Sequence, residues 1–74
     1  MKIIEDFNME WHPETECVHV IVTHGDGTEE EVRSVKPPAR PAWVNGDERD
    51  YQEWYDDILH ELHKRGFRLS GEIA

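Results

Sequence analysis

The stretch Asp47 to Gly66, DERDYQEWYDDILHELHKRG, carries the clearest helical period in the chain. Tyr51, Trp54, Tyr55, Ile58 and Leu62 recur at i, i+3, i+4, i+7 and i+11, one apolar stripe at 3.6 residues per turn, and Leu59 widens it. Asp47 is suited to accept a hydrogen bond from a free backbone N–H as N-cap, and Gly66 to take the left-handed conformation that ends a helix. Acids crowd the first half and His60, His63, Lys64 and Arg65 the last turns, the order the helix dipole favours. A helix over 48–65 follows, with its stripe against a core.

Before the helix, Lys36 to Gly46, KPPARPAWVNG, reads as an extended connector, because three prolines hold φ near that of polyproline II. Trp43 is expected to pin it to the core. Further upstream the period changes from 3.6 to 2. Cys17 to Thr23 is rich in β-branched residues, with Val18, Val20 and Val22 on one face and Cys17, His19, Ile21 and Thr23 on the other. Ile3, Phe7, Met9 and Trp11 share one parity against Asp6, Asn8 and Glu10, although Glu5 breaks the alternation. His12 to Glu16 reads as a turn around Pro13.

Gly25-Asp26-Gly27 marks a hairpin whose return strand is Thr28 to Val35. A two-residue loop sets Ile21 opposite Val32 and Val18 opposite Val35, whereas a three-residue loop sets Val20 opposite Val32; both registers remain open. After the helix, Phe67, Leu69 and Ile73 alternate with Arg68, Ser70 and Glu72, which allows a short fourth strand or a frayed end. The expected architecture is α+β: strands near residues 5–11, 17–24 and 28–35 in a three-stranded antiparallel meander, with one amphipathic helix packed on one face. The other face of the sheet is then a candidate binding surface. Seventy-four residues make one small domain, 1–74.

Charge is the main functional signal. Seventeen acids against eight bases give a formal net charge of −9. Such a chain repels phosphates and anionic headgroups, which argues against direct nucleic-acid or membrane-surface binding and favours a basic protein partner. The single cysteine, Cys17, has no intramolecular disulfide partner, and the N-terminus turns acidic early for a signal peptide; a cytoplasmic site is the expectation.

Chemistry-bearing residues give weaker signals. His60 and His63 lie three apart with Asp56 one turn before His60, but HELH lacks the i, i+4 spacing of the zinc-binding HExxH, and surface histidines pairing with Asp56 or Asp57 explain them as well. Cys17 and His19 share a strand face, yet a buried thiol needs no catalytic partner, and His12, His19 and His24 could converge on Cys17 only across the sheet. Trp11 and Trp43 border proline-containing turns and either cover a small core or lie partly exposed. Pro38-Ala39-Arg40-Pro41 has PxxP spacing, for which a linker inside a compact domain is the simpler account. No enzyme activity, metal or cofactor is expected.

Two acidic clusters remain. Glu29, Glu30 and Glu31 lie beside the hairpin, and Asp50, Glu53, Asp56 and Asp57 on the helix. They serve solubility and protect an open sheet edge, or they form a negative face that docks on a basic surface and imitates spaced phosphates. In size and charge the chain resembles the small inhibitors that phages make against host nucleic-acid machinery, including anti-CRISPR proteins. The MbtH-like adenylation partners share a strand-then-helix plan, but their Ser-Leu-Trp-Pro string is absent here. The resemblance implies an inhibitory module that blocks a basic surface of a nucleic-acid-binding protein; the seven acids are the expected docking residues because the two clusters concentrate charge on short rigid elements. A structural or adaptor subunit of a larger assembly, and a metal- or thiol-dependent activity, are the alternatives.

Overall fold

A computed structural model describes residues 1–73. The expected α+β plan is present: β1 (Lys2–His12), β2 (Cys17–His24) and β3 (Glu29–Val35) form an antiparallel meander, and α1 (Tyr51–Lys64) follows the connector. The fourth strand is real. β4 (Phe67–Leu69) pairs parallel to β1, giving the sheet order β3-β2-β1-β4, and the short helix α2 (Ser70–Ile73) follows it. The alternation read for Ile73 concerns a side chain outside what the structure describes.

The core lies between α1 and the valine face of β2. Val18, Val20 and Val22 are fully buried, and Ile4, Phe7, Ile58, Leu62 and Phe67 join them from β1, α1 and β4. Tyr55, Leu59, Met9, Val32 and Leu69 pack around this centre half-buried. Because β-strand side chains alternate, the opposite parity of β2 (Cys17, His19, Ile21, Thr23) lies on the other side of the sheet, with Glu10 and Asn8 across from His19 and Ile21.

Two bulges reconcile the strands with this core. The register between β1 and β2 shifts between Ile4 and Asp6, so Glu5 is the extra residue and parity changes there. Ile4 therefore takes the buried place with Phe7, and Ile3, expected on the core parity, is exposed. The strand also begins earlier than expected, at Lys2, where its N–H donates to the Gly66 carbonyl at 2.7 Å.

The second bulge settles the hairpin register. Near the turn, Ile21 faces Glu31 and Thr23 faces Glu29, the register of a three-residue loop; farther along, Val18 faces Val35 and Val20 faces Arg33, the register of a two-residue loop. Each register holds over half the strand, and Val32 is the extra residue between them. At the turn, Gly27 N–H donates to the His24 carbonyl and Gly27 has φ of 89°. That is a three-residue loop closed by a glycine in the left-handed region. Asp26 fixes it by accepting from the Thr28 N–H and hydroxyl, which holds its carboxyl below the usual range, the hydroxyl bond first.

The helix starts later than the expected 48. Glu48–Asp50 form a 3-10 turn, with Asp47 as its N-cap accepting from the Arg49 N–H, and the α-helix proper begins at Tyr51. It ends as expected, with Gly66 at φ 88°. Open space surrounds the position a Cβ would occupy there, so Gly66→Ala adds backbone strain without a clash. The expected outcome is a loss of about 1–2 kcal/mol, read as a lower urea midpoint at unchanged slope.

Candidate functional site

The expected site is a set of acids, and four of its seven carboxylates, Glu30, Glu31, Asp50 and Asp56, have partners within the chain. Asp50 is committed to structure. Its two oxygens accept the N–H groups of Ala42 and Trp43, both at 2.9 Å, and so tie the connector to the start of α1. This gives Asp50 a structural role beside its reading as a docking residue: two backbone donors at the end of a proline-rich segment need an acceptor, and Asp50 supplies it. Trp43 is held as a consequence, edge-on to Trp54 and Tyr51 at centroid distances of 6.1 and 6.2 Å, so it packs on the first turns of α1.

Glu29, Glu30 and Glu31 are all exposed but do not form one patch, because alternation divides them. Glu29 and Glu31 project on the side of the sheet away from α1, opposite Thr23 and Ile21, whereas Glu30 lies across from Val22 on the helix side. Glu31 meets Nδ1 of His19 at 2.5 Å and Glu30 meets Nε2 of His24 at 3.0 Å. Glu29 has no hydrogen-bond or ion-pair partner among the described residues.

On α1, Glu53, Asp56 and Asp57 are exposed. Asp56 accepts from the Gln52 amide at 2.8 Å. Glu53 and Asp57 are without such partners among the described residues, and with Glu61 they form a row at i, i+4 and i+8, about 6 Å apart along the axis. Glu61 was not in the expected set. It lies between Arg33 of β3 and Arg65, each at 3.4 Å. Arg65 also donates to the Val32 carbonyl at 2.7 Å, covering an acceptor at the sheet edge where the bulge falls.

This row borders a groove between β3 and α1. Val35, Trp54 and Ile58 give it an apolar floor; Arg33, Asp57 and Glu61 line its rim; its volume is about 280 Å³. Trp54, read from sequence only as core, is half-buried and forms part of this wall. The sequence signal for this was the coincidence of the stripe's edge with the acid row. A second opening, of about 410 Å³, is more polar and lies between Lys2, Glu30, Glu31, Val32, Arg65 and Phe67.

The histidines divide differently from expectation. His63 contacts Glu72 at 2.9 Å instead of Asp56 or Asp57. On the face of the sheet away from α1, His12 stacks on His19 at 3.8 Å, and the Cys17 thiol donates to the Thr15 carbonyl at 3.3 Å. Cys17 is half-buried, more open than the buried thiol expected of it. Among the described residues no three His, Cys, Asp or Glu side chains come together in a way that could hold a metal ion, and no helix is long and apolar enough to cross a membrane. Trp11 is half-buried, with the Arg40 guanidinium 5.7 Å from its ring centroid. Burial first, and Asp6 second, push the Tyr55 phenol up.

Glu72 closes the C-terminal end. It accepts from the Leu69 N–H at 2.9 Å, and this bond chiefly, with His63 adding to it, holds its carboxyl below the usual value. A carboxyl depressed by folding adds stability above its unfolded pKa of about 4.3 and loses it as pH falls through the folded value. Glu72→Gln should therefore lower the melting midpoint at neutral pH and leave it unchanged in acid below both values. An equal loss at both pH values would assign Glu72 to packing alone.

No protein family, curated protein or solved structure matches this chain.

Proposed function

We propose that the protein is a small acidic binding module that docks on a basic surface of a nucleic-acid-binding protein and blocks it, sterically and as a mimic of spaced phosphates. The observation that carries this reading is the state of the acids: among the described residues, none of Glu29, Glu53, Asp56 and Asp57 meets a lysine or arginine of its own chain. Their charge is therefore available to a partner. They stand on short regular elements, which lowers the entropy lost on binding. The two openings described above are open grooves, a shape that suits recognition of a surface.

The test immobilises the protein, captures partners at low salt, elutes at high salt and identifies what is released. The reading requires a nucleic-acid-binding protein that double-stranded DNA or RNA competes away. A partner retained equally at high salt and in excess nucleic acid would overturn it, and would favour the adaptor alternative.

A further inference from the structure

The groove between β3 and α1 has a chemistry of its own. Three apolar side chains, Val35, Trp54 and Ile58, form its floor, and three charges line its rim. An anion is disfavoured there by Asp57, the one rim charge without a counter-ion among the described residues. A purely apolar occupant would strip water from Asp57 without giving it a partner. Glu61 is already shared by Arg33 and Arg65, so the rim is left with one carboxylate, Asp57, that has no cation among the described residues. Glu53 lies one turn before it on the same flank of the helix. A second copy of this chain, itself at −9, is a poor match for such a rim.

An arginine side chain fits each of these conditions. Its methylene stem covers apolar floor, its planar guanidinium stacks on an indole, and its charge pairs with one carboxylate. The same pairing already occurs within the chain, where Arg40 lies over Trp11. We propose that this groove seats one arginine of the basic protein partner, stacked on Trp54 and ion-paired to Asp57. The assignment rests on the function proposed above and names the anchor of that interface. It also identifies Trp54 as an interface residue, surrounded by charges that steer association, the pattern of an aromatic hot spot inside a polar rim.

The probe is a blocked Gly-Arg-Gly peptide titrated into the isotopically labelled full chain, followed by two-dimensional NMR. Saturable shifts are expected at the Trp54 indole N–H and at the amides of Asp57 and Glu61. The isosteric peptide with uncharged citrulline should bind at least about fivefold more weakly, the factor that follows from about 1 kcal/mol of cation–π and ion-pair energy. Asp57→Asn should weaken the arginine peptide and narrow its advantage over the citrulline one, since the ion pair is lost and the contact with Trp54 remains, with the rest of the spectrum unchanged as proof of folding. Shifts spread over Glu29, Glu31 and Asp56 without Trp54, or equal binding of the two peptides, would overturn the groove. The two readings separate in the capture experiment: a partner lost at high salt but bound equally by wild type and Asp57→Asn retains the acidic face and removes the arginine anchor.

Discussion

Replacing Ile58 by alanine is expected to lower the stability of the domain by about 2–5 kcal/mol. Ile58 is 5% exposed and belongs to the same cluster as Val20, Val22, Phe7 and Leu62, so truncation leaves a cavity bounded by residues from both layers. The sheet on the far side of that cavity cannot follow, since β2 is held on both edges by β1 and β3. In a chain of this size, each kcal/mol moves the melting midpoint by roughly 4–8 °C, so the loss should exceed about 8 °C. Tyr51→Ala is the matching control. Tyr51 lies on the same apolar stripe in sequence but is 44% exposed, and its truncation should cost under about 1 kcal/mol. Equal losses at the two positions would mean that α1 does not pack as described.

That contrast also shows where sequence reading succeeded. Period decided α1 and β2, because amphipathic repetition reflects which face is buried, and the Gly25-Asp26-Gly27 turn placed the return strand. Gly66 was legible for a local reason, the left-handed φ that glycine takes freely. The bulges were less legible: Glu5 shows only as a break in the alternation of β1, and Val32 leaves two registers open. Glu5 and Val32 each shift parity by one residue, and that choice depends on which registers let Ile4 and the β2 valines share a core with α1. A tertiary requirement of this kind leaves two locally acceptable registers, and the structure uses both in one hairpin. The structural role of Asp50 was hidden for a related reason: the Ala42 and Trp43 N–H groups it serves reach it only when the connector folds against the start of α1. Glu61 escaped because its arginines lie 28 residues before it and four after, and only the first requires the fold.

The same geometry selects the variants that best test the proposed interface. Reversing Glu30 and Glu31 would place lysines against His24 and His19, so any loss of binding would be mixed with loss of local structure. Glu29, Glu53 and Asp57 have no such partners among the described residues, and their reversal to lysine moves the net charge from −9 toward neutrality by six units. Electrostatic steering raises association rates by about 10–1000-fold, and three charges at the rim should control a large part of that. The triple variant is expected to associate with the captured partner at least about tenfold more slowly at low salt, with dissociation changed less. At high salt the Debye length contracts toward about 3 Å, and the rates of wild type and variant should converge. Melting of the triple variant should match wild type or rise slightly, since removing surplus like charge relieves self-repulsion. A partner whose association is indifferent to all three reversals would leave these acids as a solvated surface. The interface would then lie elsewhere, with the face of the sheet opposite α1, around Ile21 and the stacked His12 and His19, as the next surface to mutate.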